Sequence, residues 1–254
     1  MSFISGLSFD LVSASTKQPL FSKVDSEGTL WFCAEEGSEC FAFFFSTAPM
    51  PLKVWGVHVD GKSLKHAHNF KKEGSSYNMG IWDSATGVNL PFRFSALDGE
   101  GGEDGEQQGG KGGTVSFKVS EYDPASKTKR KGAIKSTSAA AFGSGSVGAS
   151  SAKDKKGGLK SEVGSRENAS ITKASSFHTK KGALLAQFEC RYMSEIGLVH
   201  KKIVVPGEVW DWEKEQEQAA AAEAAKRKPK PKPAKRARET GAEAAPKRAK
   251  KEKK

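Results

Sequence analysis

The chain has 254 residues, of which only 36% are hydrophobic while 27 are Gly, so its folded part must be smaller than its length suggests and suits one domain. The formal net charge is +11, and residues 226–254 carry all of it: they hold 14 Lys or Arg against 3 Glu, whereas the residues before them hold 27 basic and 27 acidic side chains. No stretch approaches the ~18 apolar residues of a membrane span, the opening Met1-Ser2-Phe3-Ile4-Ser5-Gly6 lacks the basic and apolar regions of a secretory signal, and three cysteines without C-x-x-C spacing suggest neither a disulfide framework nor a zinc site.

These features predict a soluble intracellular protein with no membrane partner, whose Cys33, Cys40 and Cys190 are reduced core thiols. Across residues 3–97 the apolar residues come in short Phe-, Val- and Trp-rich runs, broken by Gly, Pro, Asp and Ser every eight to twelve positions. That rhythm is all-β. Strands are expected over residues 9–12, 29–33, 40–46 and 52–59, with turns at Glu36-Gly37-Ser38 and Pro49-Met50-Pro51. Asp60-Gly61 is the clearest turn, because this pair readily takes the positive φ values of a two-residue hairpin.

Further strands are expected over residues 114–119 and 184–192; the imperfect alternation of the second predicts a strand covered on both faces. The acidic, Gly-rich residues 98–113 form a loop, and the Gly/Ser/Lys-rich residues 126–180 a long disordered insertion, since neither has apolar periodicity. Residues 207–227 are rich in Ala, Glu, Gln and Lys, with acidic residues first and basic ones last, and predict a helix that ends before Pro229. Trp210 and Trp212 are expected to dock its first turn on the β domain, and residues 228–254 to form a disordered basic tail. The expected architecture is therefore a single antiparallel β-sandwich-like domain of seven to nine strands over residues 1–206, then helix and tail.

Motifs for chemistry are weak. Gly143-Ser144-Gly145-Ser146-Val147-Gly148 matches G-x-G-x-x-G but has neither the strand before it nor the helix after it that dinucleotide binding needs. Residues 105–112 approach a P-loop but place Gly112 where a hydroxyl must hold magnesium. His66 and His68 alternate, with His58 nearby, yet no third ligand falls at a metal-binding spacing, and Asn168-Ala169-Ser170 is a chance glycosylation pattern. No catalytic residue, cofactor or metal site is expected, and the protein is read as a non-enzyme.

The basic tail is the positive signal. Lys226, Arg227, Lys228, Lys235, Arg236 and Arg238 form one cluster and Lys247, Arg248, Lys250 and Lys251 a second; Pro-Lys alternation from Lys228 to Pro233, within the first, favours an extended chain. Extended, clustered cations suit the acidic groove of a nuclear import receptor. They also neutralise phosphates, and with no aromatic among them any contact with DNA or RNA is non-specific and salt-sensitive. Phosphates placed at Ser136, Ser138 or Ser144 could pair with these cations and mask them.

The order of several short motifs is similar to that of the family of domain of unknown function 7918: Leu30-Trp31-Phe32-Cys33, Glu35-Glu36-Gly37, Phe41-Ala42-Phe43, Val57-His58-Val59-Asp60-Gly61, Pro91-Phe92-Arg93-Phe94-Ser95-Ala96-Leu97, Gly113-Thr114-Val115-Ser116-Phe117-Lys118-Val119 and Phe188-Glu189-Cys190-Arg191-Tyr192-Met193-Ser194 followed by Gly197-Leu198-Val199. The resemblance implies a compact β domain and no known catalytic residue. The chain departs from the pattern over residues 126–180 and 62–90, where pairing stays open. A second resemblance, of Val54-Trp55-Gly56-Val57 and the acidic residues 98–106, is to nucleoplasmin-type histone chaperones, and implies an oligomer that binds histones. The sequence-based expectation is a nuclear protein whose β domain binds an unidentified protein and whose tail directs import; the histone chaperone is the alternative.

Overall fold

The computed structural model describes residues 2–4, 6–64, 67–83, 86–96, 113–129, 159–171 and 177–226. Within them the apolar runs become strands of two facing sheets. One holds β1 (Ser2–Ile4), β2 (Leu7–Ser13), β5 (Glu39–Ser46), β12 (Phe92–Ala96) and β15 (Leu159–Val163) in that spatial order, with β9 (Ser75–Met79) also on β5. The other runs β3 (Ser22–Val24), β4 (Leu30–Cys33), β18 (Lys181–Met193), β13 (Thr114–Tyr122), β6 (Leu52–Val59) and β7 (Lys62–Ser63), with β8 (His68–Phe70) also on β6. A three-stranded group joins β10 (Ile81–Asp83), β11 (Val88–Leu90) and β16 (Ser170–Ile171), and β14 (Thr128–Lys129) pairs β17 (Phe177–His178).

Alternation places one face of each strand in the core. Phe9 and Phe44 of the first sheet meet Phe117 of the second at ring-centroid distances of 4.8 and 5.0 Å, and Phe9 stands edge-on to Phe32 at 5.9 Å. Around them Leu11, Ala42, Leu52, Val54, Val57, Val115 and Val119 are buried. This is the β-sandwich that the sequence pattern predicts. The Asp60-Gly61 hairpin forms as expected: φ is 51° at Asp60 and 74° at Gly61, and Val59 pairs with Lys62.

Four expectations need correction. Eighteen strands form among the described residues rather than seven to nine, because residues 62–90, which lack long apolar runs, still supply five short strands. The sheets are not wholly antiparallel: β4 runs parallel to β18, from Leu30 opposite Cys190 to Cys33 opposite Met193. The expected disordered insertion at 126–180 contains β14, β15, β16 and β17. In β15, all five residues pair with β12, from Leu159 opposite Ala96 to Val163 opposite Phe92, and backbone pairing with a buried strand holds a segment of modest apolarity. Finally, β18 is covered on both faces only near its end, at Cys190, Tyr192 and Met193; Leu184 and Leu185 are 57% and 38% exposed. Residues 98–112, 130–158, 172–176 and 227–254 lie outside the described residues, and with them most of the acidic loop, the rest of the insertion and the tail.

A second apolar cluster covers one end of the seven-stranded sheet's outer face. Phe21, Trp31, Cys33 and Met193 pack there with Leu198 of α1 (Glu195–His200), Val204, and Val209 of α2 (Glu208–Lys226). Ser194 caps α1 by accepting from the Gly197 N–H at 3.4 Å, and Glu208 opens α2 by accepting from Lys23 Nζ at 2.7 Å and the Val205 N–H at 3.0 Å. The predicted helix is thus present, and Trp212 packs edge-on to Phe21 at 5.7 Å, whereas Trp210 is 59% exposed. Two compact units result, Met1–Glu213 and Lys214–Lys254.

Candidate functional site

On the rest of that outer face, cross-strand register shows which side chains lie together, and several of them are buried, Lys53, Ser120 and Tyr122 among them. Lys118 of β13 lies opposite Trp55 of β6, Ser120 opposite Lys53, and Ser116 opposite His58. On the other flank Tyr122 lies opposite Lys181 and Ser120 opposite Leu184 of β18. Directly opposed residues point to one face, so Lys53, Trp55, Lys118, Ser120, Tyr122 and Lys181 form one group. A bulge in β6 makes this possible: Gly56, at φ 60°, takes the extra position between Trp55 and His58, so both can face outward while Val54 and Val57 stay in the core. His58 Nδ1 closes the bulge on the Gly56 carbonyl at 2.8 Å.

Two ammonium groups lie over the Trp55 indole, and a third, that of Lys53, stands on the same face. Lys181 Nζ lies 3.4 Å from its ring centroid and Lys118 Nζ 5.4 Å, within the range of a cation–π interaction. Lys53 is buried beside them, and its Nζ donates to the Thr179 carbonyl at 3.1 Å and hydroxyl at 2.9 Å, both neutral. Burial, and then the nearby Lys181, push the Lys53 pKa down. Among the described residues none of the three cations meets a carboxylate within 4.0 Å. The Trp55 Nε1, Ser120 Oγ and Tyr122 hydroxyl are buried without a hydrogen-bond partner there, and burial pushes the Tyr122 pKa up. The group has several donors and three positive charges, and none of the three is ion-paired among the described residues.

The second open feature is an edge. Among the described residues, β4 covers only Cys190–Met193 of β18, and no strand pairs with residues 181–189 on the side away from β13. The exposed Leu184 and Leu185 lie along this edge. Unpaired backbone N–H and C=O groups beside exposed leucines are a template for another strand.

The most concentrated polar chemistry is sealed from solvent. Asp60, 2% exposed, accepts from the Thr114 N–H at 3.0 Å, the Ser161 N–H at 2.6 Å, the Ser161 hydroxyl at 2.7 Å and the Tyr192 hydroxyl at 2.5 Å. Burial pushes its pKa up, against the pull of those bonds, and burial beside Asp60 drives that of Tyr192 well up. The Asp–Ser–Tyr grouping has no route to a substrate; it ties the hairpin to β13, β15 and β18. Glu39 works similarly at the first sheet, accepting from the Ser165 N–H and hydroxyl and from Asn168 Nδ2 at 2.5, 2.9 and 2.7 Å. The Asn168 amide of the glycosylation pattern is therefore engaged in structure.

The histidines do not assemble. His68 lies opposite Val54 and stacks on Tyr77 at 3.8 Å on the core side of β6, whereas His58 faces outward; His66 lies outside the described residues. Among the described residues no three His, Cys, Asp or Glu side chains come together. All three cysteines are buried and free: burial, then Glu195, Glu213 and Glu35, push the Cys33 thiol up to about 12, and burial drives Cys40 and Cys190 higher still. Of the tail cations, Lys226 ends α2, and Arg227, Lys228, Lys235, Arg236, Arg238, Lys247, Arg248, Lys250 and Lys251 lie outside the described residues, as do both glycine-rich motifs and Ser136, Ser138 and Ser144. The lysine group around Trp55 escaped the sequence because its members stand on three strands up to 128 residues apart; only Lys53 and Trp55, two apart on one strand, hinted at it.

A scan against protein-family models, a search of curated proteins and a search of solved structures each find no match.

Proposed function

We propose that this is a non-catalytic nuclear protein: its β domain binds another protein, while residues 226–254 engage an import receptor and hold DNA or RNA without sequence preference. The observation that carries the reading is the concentration of the whole +11 net charge in that terminal stretch, attached to a body that sums to zero. Clustered cations spaced by Pro-Lys alternation suit both an acidic receptor groove and a phosphate backbone. For the β domain, the support is the edge at residues 181–189, which no strand among the described residues covers, with its exposed Leu184 and Leu185.

The test compares the full chain with a truncation after Ala225 for nuclear accumulation and for binding to DNA and RNA across a salt series. The truncation is expected to lose accumulation and a steeply salt-dependent affinity together, since log K falls by roughly 0.9 per log unit of salt for each phosphate neutralised. Equal accumulation by both forms, or exclusion of the full chain from the nucleus, overturns the reading.

A further inference from the structure

The geometry points to a phosphate-binding site on the outer face of the seven-stranded sheet, built by Lys53, Trp55, Lys118, Ser120, Tyr122 and Lys181. It is distinct from the tail and does not rest on the function proposed above.

Charge comes first. Two ammonium groups lie over one indole with Lys53 on the same face, and among the described residues no carboxylate is paired with any of the three. The acids on the same strands are not paired with them: Glu121 stands opposite the core residue Leu52, and Glu189, opposite Ser116 and so two positions along β13 from Lys118, makes no ion pair with any of the three among the described residues. Like charges this close repel, and a bound anion is what reverses the sign of that interaction.

Hydrogen bonding makes the second, independent case. Five buried side-chain polar atoms lack a partner among the described residues, and three of them, Trp55 Nε1, Ser120 Oγ and Tyr122 Oη, belong to this one group. Each can donate, and Trp55 can do nothing else. Orphaned buried donors are rare and costly, so three beside three cations indicate a missing acceptor.

The ligand class follows from counting donors. A carboxylate offers two oxygens, whereas a phosphate monoester offers three strong acceptor oxygens and nearly two negative charges, closer to three cations and three neutral donors. The shared chemistry is the phosphoryl group, whether on a free anion or on a phosphorylated side chain.

The experiment follows the Trp55 indole N–H by 1H–15N NMR in the full chain, which has five Trp side chains; Trp55→Phe identifies its resonance. Inorganic phosphate, O-phosphoserine and acetate are titrated separately against chloride at constant ionic strength. The Trp55 resonance is expected to move saturably with a phosphoryl ligand and not with acetate. In Lys118→Gln/Lys181→Gln the midpoint should rise by about tenfold or more, which is at least one factor of 1.4 kcal/mol in binding. The other four indoles, in wild-type positions, show that the variant is folded, and the wild-type titration stands without it. A response to phosphate assigns a free anion, and a response to O-phosphoserine alone assigns a phosphorylated side chain. A resonance that stays still in both, moves equally in acetate, or keeps its midpoint in the folded double variant overturns the proposal. Anions held by the tail leave this resonance unmoved, so the outcome does not depend on that of the truncation experiment.

Discussion

Removing one hydroxyl from the buried Asp60 cluster should cost more than its size suggests, and the cost should depend on the charge of its partner. Tyr192 is 1% exposed, and its ring packs on Phe94 at 4.8 Å, so Tyr192→Phe keeps the apolar burial and deletes only the donor. The 2.5 Å separation from Asp60 lies in the range of hydroxyl-to-carboxylate bonds. A hydrogen bond to a charged group is worth about 1.5–3 kcal/mol, so the single variant should lose about 2 kcal/mol. In Asp60→Asn the acceptor is neutral. The amide oxygen can take the place of Oδ2, facing Ser161 and Tyr192, but the NH2 then faces the Thr114 N–H, which loses its acceptor at a cost of about 2 kcal/mol.

Tyr192→Phe made in that background removes only a neutral bond, so its cost should fall to about 1 kcal/mol, a coupling of about 1 kcal/mol across the cycle. Urea unfolding of the four proteins at pH 7.5 measures it. The pH series adds a sign. Burial raises the folded pKa of Asp60 above its unfolded value, so the stability from its protonation is complete below about pH 4 and is lost as pH rises through the folded value. Asp60→Asn lacks that loss, and its deficit relative to wild type should shrink as pH increases. A cost for Tyr192→Phe that is the same in both backgrounds, or a deficit that grows with pH, refutes the reasoning.

Glu39 should behave in the opposite way: burial alone would raise its pKa, but the bonds from Asn168 and Ser165 outweigh it and hold the carboxyl low, so its contribution is present above about pH 4.3 and lost as pH falls through the folded value. Glu39→Gln should therefore flatten the acid limb of the stability curve, measured by unfolding between about pH 3 and 6. Buried thiols with raised pKa values should make Cys33, Cys40 and Cys190 react with an alkylating agent only as fast as the protein opens, and labelling of the native protein within seconds would refute this. Trp212→Ala should cost about 2 kcal/mol, because its half-buried ring packs on Phe21, and more than Trp210→Ala, whose ring is 59% exposed; thermal unfolding of each separates them.

What the sequence revealed and what it hid divide along the range of the interactions involved. Strands such as β5 and β6 announce themselves, because their own side chains supply the alternation that buries Phe44, Val54 and Val57. The Asp60-Gly61 turn is equally local, since its φ values follow from two adjacent residues. The lysine group around Trp55 is not local, since it requires the register of β13 against both β6 and β18, including bulges on each side. The exposure of Leu184 and Leu185 was hidden for the same reason: apolar residues in a strand predict burial, and what covers that strand is set by residues far away in the sequence.

The sharpest lesson comes from β15, within residues that composition alone assigns to disorder. Leu159-Lys160-Ser161-Glu162-Val163 has too few apolar residues to fold by itself, yet Leu159 is 3% exposed and Ser161 supplies two of the four donors to Asp60. Its order is borrowed from β12 and from a buried carboxylate that takes half of its donors from Ser161. The dependence must run both ways. Replacing residues 159–163 with Gly and Ser of equal length should remove the Leu159 side chain, worth about 3 kcal/mol, and loosen the Ser161 contacts, worth about 2 kcal/mol more. Together these reach the low end of the 5–15 kcal/mol that holds an ordinary domain together. Cooperative unfolding should therefore be lost or nearly so in urea, and Asp60, deprived of Ser161, should gain solvent access. A replacement that lowers stability by less than about 1 kcal/mol would mean that β15 is an ornament on the sheet and that Asp60 finds its donors elsewhere.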